Sequence, residues 1–317
     1  MPKTESNPWT RESILGAVDR LPPFPAVASR VLRLMNDPDS SAADLARAIS
    51  RDQALTARVL RAGNSSFYGF SQQVTSLPQA VVVLGLRKVR DLILFDSMPV
   101  GRGADGGMTD AQRTLWVHSV GTALASRLLA LRSGTEVDPE DAFLAGLFHD
   151  SGRLVLNHLA PEGFAEVFRH TSHGLDSVEA ERMVFGLSHD ELGYEALARW
   201  ELPEAIRVAA RDHHQDPATT EPLTRAVQAA NDFVHWMELR PSTPSQDEDD
   251  ASNTDANTFA LAPELDPAHV AAIEDRRPDR PGSAGALIGL THEELGELEQ
   301  RLRVALERET RFFLTAA

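Results

Sequence analysis

An all-helical protein is the expectation from this sequence, on two observations. Apolar residues recur at spacings of three and four in segment after segment, as a face repeating every 3.6 residues or so requires. Alternating β-branched runs bounded by turn residues, the mark of strands, are scarce.

Taken in order, Ala26, Val27, Val31, Leu32, Leu34 and Met35 mark a first helix over residues 26–36. Asp39-Ser40-Ser41 offers side-chain oxygens to cap a second, which runs to about Ile49. A third spans Gln53 to Ala62, where Gly63-Asn64 stops it. Val74-Thr75-Ser76-Leu77-Pro78 then leads into Gln79–Leu84, Gly85 breaks the pattern, and Arg87 to Met98 resumes it. Trp116-Val117-His118-Ser119 and Ala229-Ala230-Asn231-Asp232 each lie in a further apolar-periodic helical stretch.

Between residues 241 and 283 the composition turns to Pro, Ser, Asp, Asn and Thr, too poor in apolar side chains to offset the entropy of ordering. This reads as a flexible acidic insert, with a short helix at Pro267–Ile273. Thr291 to Phe313 is a long helix opened by a Thr291–Glu294 capping box. Its stripe of Leu295, Leu298, Leu302, Ala305 and Leu306 is expected to dock on the preceding domain.

A chain of 317 residues can bury a sizeable core in one large or two ordinary domains. Without cysteine, a disulfide scaffold and thiolate catalysis are excluded, and any metal must be held by nitrogen and oxygen. No stretch of about 18 apolar residues spans a bilayer, and Met1-Pro2-Lys3-Thr4-Glu5-Ser6 lacks a signal-peptide pattern, so a cytoplasmic protein is expected. The net charge of −16 argues against charge-driven binding to nucleic acid or anionic membrane. Residues 241–283 carry −7 of it, ten acidic residues against Arg276, Arg277 and Arg280.

Candidate chemistry centres on Gly146-Leu147-Phe148-His149-Asp150-Ser151-Gly152-Arg153, with His118, His189, His213, His214 and Asp232 on other segments. Imidazole and carboxylate ligands suit Zn, Fe, Mn or Ni, and such scattered ligands make a site only if their helices pack together. On a helix, His149 and Asp150 would point about 100° apart and straddle an ion. A lone histidine on an apolar face is more often a hydrogen-bonded core residue, so the set carries the reading. His158, His170, His173, His235, His269 and His292 fit no such spacing and read as surface or capping residues.

The order His118, then His149-Asp150, then Asp232 resembles the HD superfamily of metal-dependent phosphohydrolases. A second resemblance joins it. Leu21-Pro22-Pro23-Phe24-Pro25, Leu45-Ala46-Arg47-Ala48-Ile49-Ser50-Arg51-Asp52-Gln53-Ala54-Leu55-Thr56, Arg58-Val59-Leu60-Arg61-Ala62-Gly63-Asn64-Ser65 and Ala80-Val81-Val82-Val83-Leu84-Gly85 resemble the bacterial HDOD family of HD-related output domains. Glu191-Leu192-Gly193 and Trp200-Glu201-Leu202-Pro203 extend the likeness into the His-Asp half. Gln53 stands where that family usually has proline, and Ser151 where it has an aliphatic residue.

The resemblance implies a multi-helix HD-type bundle in two parts: a tail over 1–13, an N-terminal helical half over 14–110 and an HD-like half over 111–240. The insert at 241–283 and a docking helix within 284–317 complete the division. It also implies two readings of function. As an enzyme, the chain would bind a first divalent ion (Fe, Mn or Zn) through His118, His149, Asp150 and Asp232, and a second through His189, His213 and His214. Arg153 would then face the phosphate. Related HD-GYP phosphodiesterases act on cyclic di-GMP, but their Gly-Tyr-Pro signature is replaced here by Gln215-Asp216-Pro217-Ala218, and Thr114 stands where they have an acidic ligand. As a regulator, the reading preferred here, it would act through signalling proteins or a nucleotide ligand, with any metal structural or ligand-sensing.

Overall fold

A computed structural model describes residues 8–35, 37, 39–64, 73–97, 109–132, 136–238 and 292–316. Among these, regular structure is helical throughout and no strand occurs. The insert at 241–283, its helix at Pro267–Ile273 and the Thr291 cap lie outside the described residues.

The chain divides into two compact units. One joins residues 20–101 with residues from 303 onward, and its described helices are α2 (Ala26–Met35), α3 (Ala42–Ile49), α4 (Gln53–Gly63), α5 (Leu77–Leu84) and α6 (Leu86–Asp96). Local chemistry sets their ends. Ser41 caps α3 by accepting from the Asp44 N–H, while the Asp44 carboxylate accepts from the Ser41 N–H. Asp52 caps α4 and Ser76 caps α5. Gly85, at φ 82°, makes the turn into α6 that a side chain would resist. The core of this unit is apolar: Leu45, Ile49, Val59, Ala80, Val81, Val89, Leu92 and Ile93 are buried. Arg90 and Asp91 are buried there as well, with the guanidinium donating to the carboxylate at 2.6 and 3.0 Å.

The other unit joins residues up to Asp19 with residues 102–302. It contains α1 (Arg11–Val18), α7 (Asp110–Arg132), α8 (Pro139–Phe148), α9 (Ser151–Leu159), α10 (Pro161–Ser172), α11 (Ser177–Phe185), α12 (His189–Arg199), α13 (Glu204–Asp212), α14 (Pro222–Glu238) and the first turns of α15 (His292–Ala316). Residues 14–19 therefore pack with the HD-like half rather than heading the N-terminal half. The reason is long-range: Arg11 pairs with Glu191, and Trp9 meets the edge of Phe185 with ring centroids 6.2 Å apart.

Leu298 and Leu302 of α15 are buried against Ala125 and Leu129 of α7 and Ala229, Phe233 and Met237 of α14. Burying side chains of this kind stabilises by about 1.5–3 kcal/mol each, enough to hold the stretch on its parent unit. Two close approaches govern the rest. A Cβ at Gly146 would lie 2.8 Å from Ala123 Cα of α7, and one at Gly152 would lie 1.9 Å from the His189 carbonyl of α12. Only residues without side chains let α8 reach α7 and α9 reach α12 this closely.

Candidate metal centre

The His-Asp doublet sits at a helix junction and not within one helix. His149 ends α8, and Asp150, at φ −98° and ψ 14°, starts α9. This break turns both side chains inward, and His149 is 0% exposed and Asp150 3%. His118 comes from the middle of α7, His189 from the first position of α12, and His213 and His214 from the end of α13.

Asp150 is the hub. Its Oδ1 lies 3.2 Å from His189 Nε2, 3.5 Å from His213 Nε2 and 3.6 Å from His149 Nε2, and its Oδ2 lies 3.9 Å from His118 Nε2. Two ligand groups share it. One is His118, His149 and Asp150; the other is Asp150, His189, His213 and His214; within each, the ligand atoms lie within 4.8 Å of one another. All are buried except His214, which is exposed.

The rings are aimed from behind. His149 Nδ1 is 2.8 Å from the Gly146 carbonyl, His213 Nδ1 is 2.8 Å from the Ala210 carbonyl, and His189 Nδ1 is 2.6 Å from Glu181 Oε2. With Nδ1 donating to each oxygen, Nε2 faces the centre, the outer-shell arrangement that fixes tautomer and orientation in metal sites. Glu181 on α11, 1% exposed, also accepts from the His189 backbone N–H at 2.7 Å. Its sequence context gave no sign of this, since a glutamate in the ordinary helical run Ser177–Phe185 reads as solvated.

Charge inside the cluster is strongly displaced. Burial disfavours an ionised Asp150, but Arg153, His149 and His189 outweigh it and hold the carboxyl well below its usual range. Burial likewise opposes a charged His189, yet the Glu181 carboxylate, with help from Asp150, pushes it up to about 9. Burial drives His149 and His213 down against the pull of Asp150. Desolvation drives His214 down too, reinforced by His213 and His189. Of these four imidazoles, His189 alone is shifted towards its charged form, while His149, His213 and His214 are shifted towards the neutral one.

These residues fit a metal. His149 Nε2 is buried and makes no hydrogen bond, an orphan that a cation would satisfy. His189 Nε2 is 3.1 Å from His214 Nε2 and 3.4 Å from His213 Nε2, contacts between nitrogens that one proton cannot bridge at once. Ligands bonded at about 2.1 Å to one ion stand about 3.0 Å apart at right angles and about 3.4 Å apart in a tetrahedron. The observed spacings are of that size.

Two expected roles are realised differently. Asp232 is exposed and belongs to neither ligand group. Its neighbour Asn231, 6% exposed, is turned inward instead, with Oδ1 2.9 Å from His118 Nε2. Adjacent helical residues diverge by about 100°, and here Asn231 is the one whose side-chain oxygen reaches His118, while Asp232 has its carboxyl raised by burial against the pull of His235 and His213. Arg153 does not reach outward for a phosphate. Its guanidinium lies 3.4 Å from Asp150 Oδ2 and 3.6 Å from Glu181 Oε1 and donates to Ser177 Oγ at 3.0 Å. His235, read as a surface residue, is exposed but stacks on His118 with ring centroids 4.4 Å apart.

The HDOD domain pattern matches residues 21–216 of this chain. An HDOD domain protein of unknown function from Geobacter sulfurreducens superposes with a TM-score of 0.61 at 25% identity, over 92% of this chain and 95% of that one. A phosphohydrolase candidate from Shewanella amazonensis SB2B gives 0.65 at 22% identity, over 96% and 98%. A candidate signal-transduction protein from Marinobacter aquaeolei VT8 gives 0.69 at 20%, over 96% and 65%. The last two likenesses speak to the fold alone. An uncharacterized protein of Treponema pallidum is 28% identical over 236 residues, 71% of this chain, which spans 44% of that relative's length. No described helix is long and apolar enough to cross a membrane.

Proposed function

This chain belongs to the HDOD family, and from that membership we propose that it is a cytoplasmic signal-transduction module built around a buried divalent-metal centre. It acts through contacts with signalling proteins or a nucleotide ligand. His118, His149 and Asp150 would hold one ion, and Asp150, His189, His213 and His214 a second, with Fe, Mn or Zn suited to such ligands. A bound ion would supply fixed positive charge where His189 otherwise carries a proton.

The observation that carries regulation over catalysis is the state of Arg153. A phosphate-binding arginine needs a free face for bidentate contact. Here the side chain is 17% exposed and turned onto Asp150, Glu181 and Ser177, so it serves the cluster's internal charge balance. Glu181 holds His189 by ring and backbone alike, and Arg153 links Glu181 to Asp150. Such a network ties α9, α11 and α12 into one block whose packing responds to the centre's charge.

A second reading, a metal-dependent phosphohydrolase, is favoured by His214, since its exposure opens the second ligand group to solvent. A phosphoester panel including cyclic dinucleotides, run with Mn²⁺ and Fe²⁺, separates the two. The regulatory reading predicts no turnover above that of a His149→Ala/Asp150→Ala variant. Turnover by the wild type that the variant lacks would replace it with the hydrolase reading.

A further inference from the structure

The first ligand group is short of donors. His118, His149 and Asp150 give it three, one of them shared with the second group, which has four. Asn231 stands at the gap: its side chain is buried and its Oδ1 lies 2.9 Å from His118 Nε2. That is close to the separation of about 3.0 Å expected for two ligands at right angles on one ion. In the metal-free protein the same pair is an ordinary hydrogen bond, with the ring donating to the amide oxygen, so the contact pre-positions both atoms. Asp232, one position on, diverges by about 100° and belongs to neither ligand group, although burial raises its carboxyl and His235 and His213 act on it.

Resting on the metal reading above, we propose that Asn231, through its amide oxygen, closes the ligand set of the ion held by His118, His149 and Asp150, and that this ion is the more weakly bound of the two. The charge balance gives the asymmetry. An amide oxygen is a competent ligand for a hard or borderline cation but brings no formal charge, and affinity at oxygen sites rises with the number of charged ligands. The second group lacks nothing comparable, because Glu181 stands hydrogen-bonded behind His189 and raises its basicity as a ligand. The centre would therefore load in order, the His189 side first and the His118 side second.

Titration calorimetry of Mn²⁺ into the metal-stripped full-length protein tests this on wild type, Asn231→Asp, Asn231→Ser and Asp232→Ala. The expected wild-type record has two phases. Asn231→Asp should tighten the weaker phase by about tenfold or more, because it adds a charge at unchanged volume. Asn231→Ser should weaken that phase, and Asp232→Ala should leave it within about twofold, since Asp232 is in neither ligand group. Loss of the weaker phase in Asp232→Ala, with Asn231→Asp unchanged, would hand the role to Asp232 and overturn the proposal. A stronger phase that moves with Asn231 instead would overturn the loading order. No heat and no bound Mn²⁺ in any variant would sink the metal reading itself, a failure distinct from either. Unchanged helical circular dichroism in each variant certifies that it is folded.

Discussion

The two units are built from the same kind of helix but tolerate change differently. In the N-terminal unit, helices end on side-chain caps, and Leu45, Ile49, Val59 and Leu92 fill a largely apolar interior. In the His-Asp unit, α7, α8, α9, α11, α12 and α13 meet around the buried imidazoles of His118, His149, His189 and His213 and the buried carboxylates of Asp150 and Glu181, and those groups need fixed distances as well as burial. Apolar packing accepts many near-equivalent solutions, whereas a polar cluster in a low-dielectric interior is stable only if each member keeps its partner. The HD-like unit should therefore be the less forgiving of the two.

The largest effect should come from Gly152→Ala. Its Cβ would stand 1.9 Å from the His189 carbonyl, so α9 and α12 must separate. We expect a loss of several kcal/mol in that unit together with its metal uptake. Gly63→Ala is the control, for a Cβ there meets nothing closer than 3.6 Å. It should be neutral or stabilise by up to about 1 kcal/mol. Comparable losses from both substitutions in chemical denaturation would erase the contrast.

Metal should act on one unit only. At about a hundredfold excess over Kd, binding adds about 2.7 kcal/mol to the unit that holds the site. Hydrogen exchange should then slow in α8, α9, α12 and α13 and stay unchanged in α3 to α5. Equal protection of both would break the comparison.

Acidity sharpens it further. His189 has a folded pKa near 9 against an ordinary 6.5. Its contribution is complete below about pH 6.5 and is lost as pH rises through about 9. The metal-free wild type should accordingly lose stability over that window, and Glu181→Gln should flatten the decline. A wild-type unfolding midpoint that is level from pH 6.5 to 9 would remove the charged His189–Glu181 pair.

The smallest expected effect is Ser41→Ala, which removes the cap of α3 and should cost about 1 kcal/mol. Metal binding should not change.

What the sequence made legible follows the same division. Helices α2 to α6 could be placed within a few residues because caps and the Gly85 break are local signals. The helix α1 was missed, although Thr10 and Ser13 form a capping box, and its unit is set by remote partners, Phe185 and Glu191. At the site, the residue types were readable, and the structure draws His118, His149, Asp150, His189, His213 and His214 into two groups. The choice between Asn231 and Asp232 was not, because a one-residue shift on a helix changes the face by about 100° and no pattern in α14 fixes its rotation that finely. Glu181 and the inward turn of Arg153 likewise depend on tertiary neighbours that no local spacing encodes.

Metal analysis of untagged protein, wild type against Asp150→Ala, bears most directly on the central claim. Asp150 belongs to both ligand groups, so its loss removes the one carboxylate they share. Stoichiometric Fe, Mn or Zn is expected in the wild type and essentially none in a folded Asp150→Ala protein. A wild type without transition metal, or a variant that retains it in full, would contradict a metal centre built on Asp150.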